Sequence, residues 1–520
     1  MSSPAAYEGP EPHNKDNVVE QFQHVENTKE EIEENLVYEE DEEPELHAQT
    51  YFALAAMLLL NLVQVFGLLG PPTVLSYIEK DLKNTATGTW VPNSLSLVQA
   101  VLAPVIASLS DTFQARKAFL VGPAIISFIG CAIAPGSTNI YRLIAAQVLI
   151  GFGFATVPLA YCVPSDILPR KWRPSEFNFF CCGFKWPSGA WQRSKLGRVD
   201  LPGFSLLTAG LAIFLTGLNL GGSLYTWSSA PVLATLIIGI ITLFAFGIYE
   251  WKFTKTGILH HDLFHGGRNG DSARHTFAIC IGLIFIEGIL LFAFIIFYPV
   301  LTETLFETDP FLGAARQLPY WIASAISTVI YGYCSTKFQT IRSPMVAGAM
   351  AFVALAGLGF GSPLILAIAG VQLSVPHHLI ATATAATTCS RAIATAVFTA
   401  IFSAAFSARL EKYIPEYVSK AAVRAGLPKS SIKAFVKAVS SEDNAALKGI
   451  SGVTLEIIDS GISSLKQAYA DGLRVVFIIA VPFGVLACIA SLFLGDLKKA
   501  MNYGVDAPME NLHAKRRSQS

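Results

Sequence analysis

Three ionisable residues sit well inside long apolar runs of this sequence: Arg142, Glu287 and Arg391. A charge carried into hydrocarbon is costly, so such residues face a cavity or a partner and often mark a path for substrate or protons. Glu287, in FIEGILLF, is the one acidic residue deep in such a run. A carboxylate out of water takes up a proton more readily than one in it, so Glu287 is a candidate for proton coupling. The plainer reading is an interhelical hydrogen bond. Arg391, in TTCSRAIAT, calls for an anion or a carboxylate partner, and Glu287 is one choice. Asn61 and Gln64, three apart on one helix face, could line a cavity or act as polar glue between helices.

Two further patterns combine charge with close packing. SLSDTFQARK places Asp111 just before Arg116 and Lys117, a set that can form a charge latch at a tight turn. RLIAAQVLIGFGFA follows Arg142 with Gln147, Gly151, Gly153 and Ala155, small residues that let helices approach. The histidine pairs His260-His261 and His377-His378 lack accompanying ligands, and helix neighbours point apart, so they read as loop or interface residues rather than a metal site. Eight cysteines, at 131, 162, 181, 182, 280, 334, 389 and 488, form neither a zinc spacing nor a disulfide framework and read as small fillers. The adjacent Cys181 and Cys182 leave palmitoylation open. No GxxxxGK[ST] loop occurs, so ATP drive is not expected. These residues point to no metal, cofactor, nucleic acid or enzymatic centre.

The elements that must position these residues are membrane spans. Eleven apolar runs recur, at 52–77, 91–110, 118–135, 141–163, 203–221, 231–251, 276–300, 316–335, 345–373, 379–407 and 473–495. A helix needs about 20 apolar residues to cross a hydrocarbon core of about 30 Å. The chain is 52% hydrophobic and 14% charged, against about 25% charged in soluble domains. Its net charge of −1 hides a division: residues 1–50 hold 15 acids and 2 bases, and the remainder holds 23 acids and 35 bases. We therefore expect an all-α, multi-pass membrane bundle. Residues 1–50 form a disordered acidic tail without a cleaved signal peptide. Residues 51–163 form an amino-terminal bundle of four spans, 164–200 a basic linker and 201–252 a two-helix pair. Residues 276–495 form a carboxyl-terminal bundle with a long polar loop at 408–472, and 496–520 a second tail. Trp227, Trp251 and Trp321, near span ends, read as interfacial anchors.

Lysine and arginine in short loops favour the cytoplasm. By that rule Arg116-Lys117, the linker 164–200, the segment 252–275 and both tails are cytoplasmic. Two cytoplasmic tails require an even number of crossings, whereas eleven runs are visible. The discrepancy lies after Lys337, where 345–373 is long and glycine-rich yet too short for two full spans.

The Asp111 turn and the Arg142–Gly153 stretch resemble two signatures of the major facilitator superfamily, the first in degenerate form, with Ala107 and Gln114-Ala115 in place of glycine and glycine-arginine. YCVPSDILPRKWRP, KLGRVDLPGF, GIYEWKFTKTGILHHDLF, FIEGILLFAFIIFYPVL and VQLSVPHHLIATATA resemble the fungal trichothecene efflux pumps, close to siderophore transporters and 14-helix drug:proton antiporters. The resemblance covers roughly 50–175 and 195–510. It implies fourteen helices, of which about three are missing here: two at 164–200, with the antiporter glycine-proline motif, and one around 342–350. The expected function is proton-coupled export of a small organic toxin, drug or secondary metabolite by a monomer in the plasma membrane, or in a vacuolar or vesicular one. The alternatives are siderophore-iron uptake and a truncated paralogue or membrane binding protein that does not transport.

Overall fold

The computed structural model describes residues 36–37, 42–84, 87–113, 115–178, 200–221, 224–254, 257–258, 263, 275–306, 309–354, 356–441, 447, 449–508 and 512–514. Most of the acidic tail, Cys181, Cys182, His260 and His261 lie outside the described residues. So does 179–199, the part of the linker where two helices are expected to be missing.

The described chain is nearly all helix. Among the described residues, ten helices are long and apolar enough to cross a membrane, and the chain is a multi-pass integral membrane protein. The amino half contains α1 (Ala48–Thr73), α2 (Trp90–Phe113), α3 (Arg116–Ile133), and α4 (Ile140–Phe154) continued by α5 (Val157–Ile167). The α4–α5 crossing breaks where Pro158 has no N–H to offer the helix. There the Thr156 hydroxyl donates to the Gly153 carbonyl at 2.7 Å. An inserted pair follows, α6 (Leu201–Leu220) and α7 (Ala230–Lys252). These two helices pack closely on each other: a Cβ at Gly239 would lie 2.7 Å from Phe214. The α6 member leans on α2, where Asn93 donates to Asn219 at 2.6 Å.

The carboxyl half is built from α8 (Thr276–Leu305), α9 (Leu318–Phe338), α10 (Arg342–Ala354), α11 (Ala356–Ser374), α12 (Ile380–Arg424), α13 (Ile432–Ser440) and α14 (Leu455–Leu492). The run 345–373, a single stretch in the sequence, is here two helices folded back on each other. The Ser362 hydroxyl donates to the Met345 carbonyl at 3.4 Å. In one straight helix those residues would be about 25 Å apart. At about 20 Å long, α10 is too short to cross a 30 Å core, but the reversal returns the chain to the face it left. The even parity demanded by the terminal charges is thereby restored: Arg170 N–H donates to Gly504 O at 3.1 Å and Lys171 N–H to Asn502 O at 2.7 Å.

Packed against α2, α5, α8 and α14, α12 is the central element. Its first half, IATATAATTCSRAIATA, is rich in Ala and Thr, which permits close approach of helices. Apart from Thr382, its threonine hydroxyls are satisfied within the helix, as in Thr384 to Ile380 O at 2.7 Å and Thr387 to Thr384 O at 2.6 Å. Helices α12 and α14 are about 68 and 57 Å long, so both run well past the bilayer. Beyond it the stretch 408–472, expected as a loop, is largely helical. With α13 it closes over Val418, Ala422, Leu427, Phe435, Val439 and Ile457. On the opposite face a three-stranded sheet joins the tails: Leu512–Ala514 lies between Leu36–Val37 and Pro44–Glu45.

Candidate functional site

Glu287 projects from α8 and Arg391 from α12, and the two meet. The Arg391 Nε–H donates to Glu287 Oε2 at 2.6 Å, with the Glu287 side chain 0% exposed. The neighbouring glycine makes this approach possible, since a Cβ at Gly288 would fall 2.9 Å from the Arg391 carbonyl oxygen. The second carboxylate oxygen, Oε1, is buried without a hydrogen-bond partner, as is Nη2 of Arg391. Glu287 also borders a cavity of about 20 Å³ walled by Leu283, Leu290, Met345, Phe360, Pro363 and Gly484. That volume is enough for one water molecule. Tyr161 of α5 is hydrogen-bonded through its side chain to Arg391, and Tyr320 of α9 faces Glu287. The pair therefore belongs to the carboxyl half and touches the amino half through Tyr161.

The Asp111 turn forms a second, separate cluster at the basic face. Arg116 bridges two carboxylates, with Nη1–H donating to Asp111 Oδ1 at 2.9 Å and Nε–H to Asp166 Oδ2 at 2.6 Å. Asp111 Oδ2 accepts from both the backbone N–H and the hydroxyl of Thr382, each at 2.8 Å. Thr382 lies in the first turn of α12, where free amide groups and the helix dipole favour an anion. Lys117 is half-buried beside this cluster. Below it the carboxyl-terminal tail crosses to the amino half. Asp506 takes ion pairs from Arg170 and Arg173, with His377 Nδ1 3.8 Å away. Arg173 also donates to Gln372 O at 3.0 Å and Ser165 O at 3.0 Å. Burial pushes the Asp506 pKa up, but Arg173, Arg170 and His377 outweigh it and hold the carboxyl well below the usual range. The halves are thus tied together at this face. At the other end the exposed Lys80 reaches Glu303 at 3.8 Å, the kind of surface pair that adds little.

The remaining candidates have packing roles. Gln64 donates to Gly153 O at 3.2 Å and so acts as interhelical glue. Asn61, on the same helix, is half-buried. A Cβ at Gly151 would lie 2.7 Å from Val98, and one at Gly153 2.6 Å from Ser127, so both glycines allow tight contact of α4 with α2 and α3. Gln147, about one turn before Gly151, is buried. Arg142 is exposed in the first turn of α4 and is not brought to the Glu287–Arg391 pair. His377 sits in a short turn at 377–379, consistent with an interface residue. Sequence reasoning missed Tyr161, Asp166, Thr382 and Asp506. Asp166 carried a signal, being a carboxylate at the end of an apolar run in PSDILPR, whereas nothing in the tail marked Asp506.

Residues 340–517 match the family model described as Fungal trichothecene efflux pump, and residues 56–186 match that of the Major Facilitator Superfamily. Neither match spans half of the chain, and together they mark a resemblance to the major facilitator superfamily. Among curated proteins it is 23% identical over 328 residues to the MFS-type transporter ucsD of Acremonium sp, covering 54% of each chain. To the MFS-type efflux transporter ffsH of Aspergillus flavipes it is 22% identical over 508 residues, covering 83% of this chain and 84% of that one. It is likewise 22% identical to the efflux pump dotC of Dothistroma septosporum, over 55% of this chain and 54% of that one. The chain spans about half to two-thirds of the length of most of the curated relatives it matches. A bacterial homologue of the human lysosomal transporter Spinster, inward-facing and unoccupied, overlaps with a TM-score of 0.47 at 16% identity, covering 88% of this chain and 98% of that one.

Proposed function

We propose that this chain is a secondary active transporter of the major facilitator type that exports a small organic toxin, drug or secondary metabolite in exchange for protons. The observation that carries the reading is the buried Glu287–Arg391 pair, with Glu287 Oε1 unpartnered and Glu287 lining a water-sized cavity. A buried carboxylate held by one arginine and reachable by one water can alternate between paired and protonated forms. In this reading the Asp111–Arg116–Asp166 cluster closes the basic face while the opposite face opens. The likeness to relatives that are efflux proteins and the match of residues 340–517 support export over import.

The test is flux in sealed vesicles of the plasma membrane under an imposed pH gradient, with a radiolabelled trichothecene and a ferric siderophore as alternative probes. Gradient-dependent movement of the trichothecene, abolished by a protonophore, is expected. Gradient-driven accumulation of the ferric siderophore without trichothecene movement would replace export by uptake. Movement of neither by a folded protein would favour a chain that does not transport.

A further inference from the structure

The Glu287–Arg391 pair would be a matter internal to the carboxyl half were it not for Tyr161. Tyr161 stands on α5 of the amino half, and its side chain is hydrogen-bonded to the Arg391 guanidinium across the boundary between halves. Its backbone is fixed there as well: Gln372 of α11 donates to Tyr161 O at 3.2 Å, and the next residue, Cys162, meets Ile380 O at 3.5 Å. One guanidinium therefore has two directions of attachment. Its Nε–H is donated to a carboxylate in its own half, and a further N–H reaches a neutral hydroxyl oxygen in the other. We propose that Tyr161 is a positioning residue that holds Arg391 on Glu287 and makes the closure of the two halves depend on the protonation of Glu287.

The argument is electrostatic and rests on the proton-coupled reading above. While Glu287 is ionised, its charge balances Arg391, and Tyr161 gives the guanidinium a second acceptor. Once Glu287 is protonated, Arg391 is a buried cation with only neutral acceptors. One phenol oxygen does not compensate a guanidinium out of water, so Arg391 is driven toward solvent. The route to solvent is the boundary that Tyr161 closes. The other titratable group facing Glu287 is Tyr320 of α9. From α10, α11 and α14 the wall is Met345, Ala349, Phe360, Pro363, Gly484 and Ala487, all uncharged. Among the described residues that line this cavity, Glu287 is the one acid.

The test needs no transported substrate. Spin labels at the exposed Ala118, at the start of α3, and Lys337, at the end of α9, report the separation of the halves at the basic face. Distances are measured by pulsed electron resonance across pH 5 to 9 in the full-length protein in lipid nanodiscs. The wild type should pass from a closed to an open population as pH falls. Tyr161→Phe keeps the ring and its packing but removes the acceptor. Because a hydrogen bond to a charged group is lost, its closed-to-open ratio at pH 8 should fall at least about tenfold, with a flattened pH response. A merely structural tyrosine would not change the pH response, so a Tyr161→Phe curve that superimposes on the wild type overturns the proposal. Glu287→Gln should be pH-independent in the same assay. If Glu287→Gln titrates like the wild type, the assignment of proton coupling to Glu287 fails, and the sensing role of Tyr161 fails with it. If Glu287→Gln is flat and Tyr161→Phe is unaltered, only the Tyr161 proposal is lost.

Discussion

Glu287 and Arg391 carry charges that the interior of a bilayer would reject singly and tolerates as a pair. Removing one partner leaves the other uncompensated. Arg391→Met should therefore lower the stability of the folded protein by about 3–5 kcal/mol, read as a fall in melting temperature in detergent. The double variant Glu287→Gln/Arg391→Met should lose less than the two single losses combined, and full additivity would show that the residues do not interact. Arg391→Lys tests geometry rather than charge, because an ammonium keeps the charge but lacks the planar fork. It should lower transport more than stability. Both residues were legible in the sequence, since a charge in a long apolar run stands out. Tyr161 was not, because a tyrosine near a span end has several ordinary reasons to be there. Its role comes from a contact with a residue 230 positions along the chain, which local spacing does not encode.

At the scale of elements, packing of α4 depends on glycines with neighbours already in place. Gly153→Val would drive a side chain into Ser127 and should cost about 1–3 kcal/mol through overpacking. Gly122→Ala on α3 meets nothing within 4 Å and serves as the control. It should be neutral or stabilising by up to about 1 kcal/mol, because alanine favours helix. Equal melting temperatures for the two variants would contradict the packing account. The small-residue pattern RLIAAQVLIGFGFA made the α4 contact readable in advance. The α10–α11 reversal was hidden for the opposite reason. AFVALAGLGFG contains no polar turn residues, so hydropathy runs unbroken through the fold-back. Its neighbours supply what the turn lacks: a Cβ at Gly357 would already lie 3.1 Å from the Tyr320 carbonyl of α9. Likewise the polar stretch 408–472 looked like a loop because its charges dominate the average, although its apolar residues are spaced to bury one helical face.

For the whole molecule, the two halves meet at a face fastened by Asp111, Arg116, Asp166 and the carboxyl-terminal tail. Asp506 is held ionised by Arg170, Arg173 and His377, so its folded pKa lies below the unfolded value of about 3.9. Its contribution is complete above that value and is lost as pH falls through the folded pKa. Melting temperature should therefore drop below about pH 4 with a steeper slope in the wild type than in Asp506→Asn, and identical slopes would remove Asp506 from the fastening. Charge counting had correctly put both tails on one face, yet it could not show that the tail grips the amino half, because partners more than 300 residues apart leave no local pattern. Opening and closing of that face matter only if they are coupled to protons. The most direct measurement is substrate-evoked proton movement, followed with a pH-sensitive dye trapped in proteoliposomes, with a trichothecene added to one side. The wild type should move protons against the substrate, whereas Glu287→Gln should still exchange labelled substrate but move none. A Glu287→Gln protein that moves protons as the wild type does would contradict the account.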